Sequence, residues 1–339
     1  MTDKSRTPTA RAVAERAGVS VTTVSRVISG QASAIPQSTQ DRVLQAAREL
    51  HYRPNTLARA LRKGTTQSIG LIVPDISDAY FHQIARGVED VAQAAGCVVI
   101  LANTDRIPER ELACVNLLLD KRVDGIVFAG GGIDDDAHLA GTDWGAAKVI
   151  MVGPHGLPFP SVTVDNTAAI ADLVHHLYDL GRRRVLCLAG RENWQITQQR
   201  LDGYRQAVAE LGLADDPELV VFGDFTETAG EELTAKALAS AGSFDAVVAF
   251  NDYTAIGALR AIRDAGARVP DDIAVVGCDD IPVARMVHPA LTTIGFSQYD
   301  FGRTAAELIL DPSRVPADGN VTFPYELVVR ESTAHKAGA

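Results

Sequence analysis

Apolar residues recur with two different rhythms along this chain, and the change falls near residue 65. Before it the spacing is three or four. Val13, Ala14 and Ala17 fall on one helical face, Val24, Val27 and Ile28 on a second, and Val43, Ala46, Ala47 and Leu50 on a third. The pattern predicts helices over 10–17, 21–28 and 37–50. Thr9 and Ser20 stand where N-caps belong, Gly18 where a left-handed turn ends the first helix, and Pro36 just before the third. Two short helices joined by a tight glycine turn make a helix-turn-helix, whose second helix enters the DNA major groove. A further short helix over 55–62, capped by Asn55, is too short to be stable alone in water. It is expected to fold when paired with its copy on DNA.

From residue 66 to 333, β-rich apolar runs alternate with amphipathic helical runs. Strands are predicted over 68–73, 97–101, 125–128, 149–152, 184–188, 219–222, 246–250 and 273–276. Helices are predicted over 81–95, 109–121, 167–180, 199–211, 228–240 and 254–265. This alternation specifies an α/β fold with parallel sheets wrapped by helices. Ligands of such sheets bind beyond the carboxyl ends of the strands. Polar groups occur at those places. Asp75 and Asp78 follow the first strand, beside Tyr80 and Phe81. Asn251 and Asp252 follow another, and Asp279 and Asp280 a third. Arg200 precedes Gly203 and Tyr204 on a helix. An aspartate or asparagine there is also an ordinary helix cap, which is the expected role of Asp252.

Charge sharpens the division. Residues 1–63 hold eleven Lys and Arg against four Asp and Glu, a net of +7, while the whole chain carries −11. A basic head with helical periodicity on an acidic body points to a module that binds a polyanion. The exposed positions of its second helix are Val21, Thr22, Thr23, Ser25 and Arg26. Arg26 can donate to guanine O6 and N7, and Val21 and the Thr22 methyl can touch thymine. The hydroxyls of Ser20, Thr23 and Ser25 suit phosphate oxygens.

Other classes find little support. No apolar run reaches membrane-spanning length, and the N-terminus lacks a secretory pattern, so a cytoplasmic protein is expected. The four cysteines, Cys97, Cys114, Cys187 and Cys278, form no metal-binding set and read as reduced thiols. His175 and His176 lie mid-helix without a third ligand, so no metal is expected. Gly130, Gly131 and Gly132 lack dinucleotide-loop spacing and read as a flexible loop. No nucleophile or phosphate-loop motif occurs, and neither an enzyme nor a cofactor is expected. Asp75 and Asp279 are the one conceivable acid pair.

The run Val13-Ala14-Glu15-Arg16-Ala17-Gly18-Val19-Ser20-Val21-Thr22-Thr23-Val24-Ser25-Arg26-Val27 resembles the signature of the lactose-repressor (LacI/GalR) family. Tyr52-Arg53-Pro54-Asn55, with Leu57, Ala58 and Leu61, is similar to its hinge. In the body, Val123-Asp124-Gly125, Arg200-Leu201-Asp202-Gly203-Tyr204, Phe250-Asn251-Asp252, Val276-Gly277-Cys278-Asp279-Asp280 and Pro289-Ala290-Leu291-Thr292-Thr293-Ile294 resemble the family's effector domain. That domain in turn is similar to periplasmic sugar-binding proteins. The resemblance spans about residues 9–333. Ala12, Ser29, Gly153, Cys278 and Phe296 depart from common family residues.

The resemblance implies a helix-turn-helix domain over 1–54, a hinge helix and linker over 55–65, and a two-lobed effector and dimerisation domain over 66–333. The lobes would comprise about 66–164 with 292–322, and about 165–291 with 323–333. Val21, Thr22 and Arg26 fall on recognition positions. Asn55, Ala58 and Leu61 fall on the hinge, with Leu61 wedging into the minor groove. Arg200, Asn251 and Asp279 fall on positions that hold sugar hydroxyls. Phe225 falls where an aromatic ring stacks on the ligand, with Trp194 nearby. The implied protein is a homodimeric regulator, most often a repressor, that binds a pseudo-palindromic operator on double-stranded DNA under control of a small sugar. A nucleoside- or purine-responsive corepressor logic is the alternative, and a sugar-transport protein a remote one.

Overall fold

In the computed structural model, which describes residues 8–52, 65–240 and 244–334, Thr9 and Ser20 each start a helix with a side-chain oxygen. Thr9 Oγ1 accepts from Ala12 N at 3.3 Å and opens α1, Ala10–Ala17. Ser20 Oγ accepts from Thr23 N at 3.1 Å and opens α2, Val21–Ile28. Such caps satisfy amide groups that have no partner within the helix. Gly18 ends α1 at φ 65°, a left-handed conformation that glycine takes without a Cβ penalty. α3 runs Gln37–Glu49 behind Pro36. Val13, Ala14, Ala17, Val24, Val27, Val43 and Ala46 close into one core, with Ile28, Ala47, Leu50 and Tyr52 packed against it. Gln40 Nε2 ties the connection from α2 to α3 by donating to Ala32 O at 3.1 Å and Ile35 O at 2.8 Å. Arg16 and Glu49 pair across the bundle at 2.8 Å. The helix expected over 55–62, with Asn55, Ala58 and Leu61, lies outside the described residues.

The chain divides between Thr66 and Gln67 into two compact units. The second contains two sheets, each of six strands among the described residues. The first sheet is built from β1 (Ser68–Val73), β2 (Val98–Asn103), β3 (Gly125–Ala129), β4 (Lys148–Val152), β5 (Ser161–Val164) and β11 (Asn320–Phe323). Its spatial order is β11-β5-β4-β3-β1-β2, all parallel. α4 (Ala79–Ala94), α5 (Pro108–Asp120) and α10 (Gln298–Leu310) cover it. α4 and α10 pack with their backbones in contact. A Cβ on Gly87 would collide with Tyr299 O, and one on Gly302 with Ile84 O.

The second sheet is built from β6 (Val185–Ala189), β7 (Val220–Phe222), β8 (Ala246–Ala249), β9 (Ala274–Asp279), β10 (Thr292–Gly295) and β12 (Glu326–Val328). Its order is β12-β10-β9-β8-β6-β7. Every pairing is parallel except β10 with β12. α6 (Asn166–Asp179), α7 (Gln195–Leu211), α8 (Glu227–Ala239) and α9 (Asp252–Asp264) surround it.

The chain passes between the two lobes three times, after β5, after β10 and between β11 and β12. The second crossing corrects the expected lobe boundary. Residues 292–295 were expected in the first lobe, but β10 pairs with β9 from Thr292↔Val276 to Gly295↔Asp279. Buried hydroxyls hold it there: Thr292 Oγ1 meets Thr333 Oγ1 at 2.7 Å, and Thr292 N donates to Ser332 Oγ at 2.8 Å. The chain crosses only afterwards, into α10.

The expected strand over 97–101 is present but carries its apolar residues on an open edge. Val98 is 62% exposed and Leu101 41%. No helix among the described residues is long and apolar enough to cross a membrane.

Candidate functional site

On the helix-turn-helix, the second helix turns Val24 and Val27 into the core and leaves Val21, Thr22 and Arg26 exposed. Arg26 has no ion pair or side-chain hydrogen bond among the described residues, so its guanidinium is available as a bidentate donor. Thr23 and Ser25 are half-buried. Ser20 and Thr23 hydroxyls lie 2.9 Å apart and bond to each other. Ser20 is thus already engaged as a cap.

In the larger unit the carboxyl ends of the two sets of parallel strands face each other across a cleft. β9 delivers Asp279 from the second lobe at φ 118°, a value rare for a residue with a side chain. The buried Gln298 holds that strand end by donating to Asp279 O. α7 delivers Arg200, which is 5% exposed. Its Nη2 donates to Asp279 Oδ1 at 3.2 Å, its Nε to Asn166 Oδ1 at 3.1 Å, and its Nη1 to Phe250 O. Burial pushes the Asp279 carboxyl up to about 6, against the opposing pull of Arg200. The pair offers a fixed donor beside an acceptor able to take hydroxyl protons.

The first lobe supplies Asp78, Tyr80, Phe81 and Arg106, together with the backbone of Gly130, Gly131, Gly153 and Pro154. Asp78 caps α4 by accepting from Tyr80 N at 2.8 Å, and burial raises its carboxyl. Burial also raises the Tyr80 hydroxyl and lowers the Arg106 guanidinium. Phe225, Ile196 and Asn251 complete the second-lobe wall. The space between them is about 70 Å³. Small-molecule sites usually span about 300–1,000 Å³, so the lobes leave a narrow space between them.

Contacts across the cleft hold them closed. Ile133 and Trp194 form an antiparallel bridge. Asp134 N donates to Asn193 O at 3.0 Å, and Gln195 N to Gly132 O at 2.9 Å. Asn193 Nδ2 reaches Asp134 Oδ1 at 3.0 Å and Gln195 Nε2 reaches Asp135 Oδ1 at 2.7 Å. Arg106 lies over the Trp194 ring at 4.4 Å.

Of the expected effector residues, Tyr80, Phe81, Arg200, Phe225, Asn251 and Asp279 come together around this space. Asp75 does not. It is exposed, and its carboxylate turns onto Ser77 N and Oγ, each at 2.8 Å. The conceivable acid pair of Asp75 with Asp279 is therefore not assembled. Trp194 does not line the space either. It is 6% exposed and packs beside Phe225, with ring centroids 5.4 Å apart, while its backbone makes the bridge.

Asn251 lines the space as expected, but it, and not Asp252, is the helix cap. Asn251 is the helix cap, accepting from Thr254 N at 2.9 Å and donating to Phe225 O at 3.1 Å. Asp252 is fully buried, accepting from Thr293 Oγ1 at 2.5 Å and Ile281 N at 2.9 Å, and burial raises its carboxyl strongly. The glycine loop is also not a free connection. Gly130 and Gly131 wall the cavity, and Gly132 N donates to Asp136 Oδ1 at 2.6 Å. Arg106 escaped the sequence reading, although it follows β2 by three residues and the rule of strand ends would have found it. No three His, Cys, Asp or Glu among the described residues could hold a metal ion.

Comparison with known proteins places these features in a family. Residues 9–55 match "Bacterial regulatory proteins, lacI family" and residues 66–325 match "Periplasmic binding proteins and sugar binding domain of LacI family". The chain is 33% identical to the HTH-type transcriptional repressor CytR of Escherichia coli (strain K12), over 96% of each protein. It is 33% identical to catabolite control protein A of Priestia megaterium, over 95% of this chain and 98% of that one. Among solved structures it resembles the lac repressor dimer bound to operator and the anti-inducer ONPF. There the TM-score is 0.84 at 29% identity, covering 97% of this chain and 99% of the other. The CelR–cellobiose complex matches with a TM-score of 0.72 at 31% identity, over 96% and 99%.

Proposed function

Because the chain belongs to the LacI family of DNA-binding transcriptional regulators, we propose that it is a cytoplasmic repressor that binds a pseudo-palindromic operator as a homodimer and answers to a small sugar or sugar derivative. The observation that carries the effector reading is the buried Arg200–Asp279 pair, 3.2 Å apart, where the carboxyl ends of the parallel strands of the two sheets meet, flanked by Phe225, Tyr80 and Phe81. A guanidinium beside a carboxylate matches vicinal hydroxyls, and aromatic rings match the apolar face of a sugar. The solved CelR relative in complex with cellobiose supports the same class.

Support for a dimer comes from the sheet edges and from the lac repressor relative, a dimer on its operator. β2 and β7 are the corresponding edges of the two sheets. They expose Val98, Ile100, Leu101 and Phe222, an apolar edge that a lone subunit normally avoids. Two heads on one dimer address two half-sites. Val21, Thr22 and Arg26 are the base-reading residues of this reading, and Ser20, Thr23 and Ser25 the phosphate-facing ones. Effector control requires only that the effector prefer one lobe arrangement over the other, with DNA affinity differing between them.

Fluorescence anisotropy on a selected pseudo-palindromic duplex at fixed salt, with sugars and nucleosides titrated in, tests the whole reading. A sugar that weakens operator binding about tenfold, roughly 1.4 kcal/mol of coupling, identifies an inducer. A ligand that tightens binding makes the protein a corepressor-dependent regulator. Tight specific DNA binding that no sugar moves removes the sugar assignment of Arg200, Asn251 and Asp279.

A further inference from the structure

A groove of about 880 Å³ lies beside the inner cavity, between the β4–β5 connection, the strands β5 and β11, and the first turns of α7. The two spaces share Gly153 and Pro154 as lining. Gly153 has φ 95°, and a Cβ there would meet nothing within 4 Å, so the partition at this point is bare backbone next to open space. Polar side chains link one space to the other. Gln199 lines the groove, its Oε1 accepts from Asn166 Nδ2 at 3.1 Å, and Asn166 in turn accepts from Arg200 of the inner cavity at 3.1 Å.

The groove is polar. Gln195 and Gln199 bring amides, while Thr163 and Thr322, side by side on β5 and β11, bring hydroxyls. His155 also lines it, and its Nδ1 is shielded from solvent without a hydrogen-bond partner among the described residues. Amides and hydroxyls both donate and accept, which is what a row of sugar hydroxyls requires. The inner space is narrow, about 70 Å³, and lies beside the lobe-to-lobe bonds of Gln195 with Gly132 and of Asp134 with Asn193. Pro154 belongs to the first lobe and Gln195 and Ile196 to the second, so parting opens the partition and joins the two spaces.

We propose that the effector is an oligosaccharide of two or more units, with one ring held in the inner cavity by Arg200 and Asp279 and the next lying in the groove against Gln199, His155 and Thr322. This rests on the sugar reading above and narrows it to a linked glycan.

Calorimetric titration of the full-length protein with glucose, cellobiose and cellotriose, with galactose and lactose, and with maltose tests the proposal. In the series that binds, the disaccharide is expected to bind about tenfold or more tightly than its monosaccharide. Thr322→Trp, which puts a bulky ring into the groove, and His155→Ala are each expected to bring the disaccharide back toward the monosaccharide's affinity. Unchanged monosaccharide binding in both variants serves as the control for folding. Equal affinity for mono- and disaccharide, both lost in Asp279→Ala, overturns the oligosaccharide inference and leaves the sugar reading standing. A disaccharide preference that survives both groove variants overturns the placement of the second ring. Binding of none of these sugars overturns the sugar reading, and the inference falls with it.

Discussion

Ile133 of the first lobe and Trp194 of the second face each other in an antiparallel bridge across the cleft. The flanking bonds, Asp134 N to Asn193 O and Gln195 N to Gly132 O, make this the non-hydrogen-bonded kind of pair, with Cα atoms about 4.5 Å apart. Disulfides accept Cα separations of about 4.4–6.8 Å. An Ile133→Cys, Trp194→Cys double variant, with Cys97→Ser and Cys114→Ser to remove the partly exposed thiols, is expected to cross-link on oxidation. The oxidised form should bind effector at least about tenfold more slowly than the reduced form. Stopped-flow binding before and after reduction measures this, and equal rates would show that the bridge does not control entry.

Arg26 is exposed and unpaired among the described residues. Arg26→Ala is expected to cost about 1–3 kcal/mol of operator binding while leaving random-sequence binding much less affected. Anisotropy with operator and scrambled duplexes at one salt concentration checks it. Equal losses on both duplexes would make Arg26 a phosphate contact.

Burial pushes the Asp279 carboxyl up to about 6 against the attraction of Arg200. A carboxylate accepts two hydroxyl protons, and its protonated form accepts less well. Effector affinity is therefore expected to fall as pH drops through about 6. Asp279→Asn should bind weakly, with little change between roughly pH 5 and 8. Calorimetry across that range distinguishes this from a titrating ligand, which would keep its pH dependence in the variant.

Glu111 is 1% exposed and meets His138 Nε2 at 2.8 Å. Burial, reinforced by Asp136 and opposed by Arg106 and Thr104, pushes its carboxyl up to about 8. From its ordinary 4.5 up to about 8, the folded state keeps a proton that the unfolded chain releases. Stability therefore falls as pH rises through that window. Glu111→Gln should flatten the decline, seen as a smaller drop in melting temperature toward pH 8 than in the unaltered protein. Parallel slopes for the two proteins would contradict it.

Val98 on the open edge of β2 is 62% exposed. If that edge pairs subunits, Val98→Asp places a charge in an apolar contact and should shift sedimentation from dimer to monomer at micromolar concentration. Operator affinity should fall with it, since one head then reads one half-site. A dimer that persists unchanged would put the interface elsewhere.

The first two helices of the helix-turn-helix were legible to the residue, and the third to within one, because their bounds depend on local chemistry. Thr9, Gly18 and Ser20 act within one turn of where they stand, and Val13, Val24 and Val43 repeat at helical spacing. The alternation of strand and helix was legible for the same reason, as was the placing of Asp279, Asn251 and Arg200 near a shared cleft. Three things were decided only by tertiary structure. Asn251 and Asp252 are neighbours of similar chemistry, and which one caps and which is buried depended on Thr293 and Ile281, distant in sequence. Asp75 and Asp78 both follow β1, and the turn onto Ser77 took Asp75 out of the cleft. Trp194 became part of an inter-lobe bridge because Ile133 arrives opposite it from the other lobe. The sequence determined the elements and the kinds of groups available, since capping and periodicity act over a few residues. The lobes, the closed cleft and the division of labour among its polar groups came from contacts between segments far apart in the chain, which local pattern does not encode.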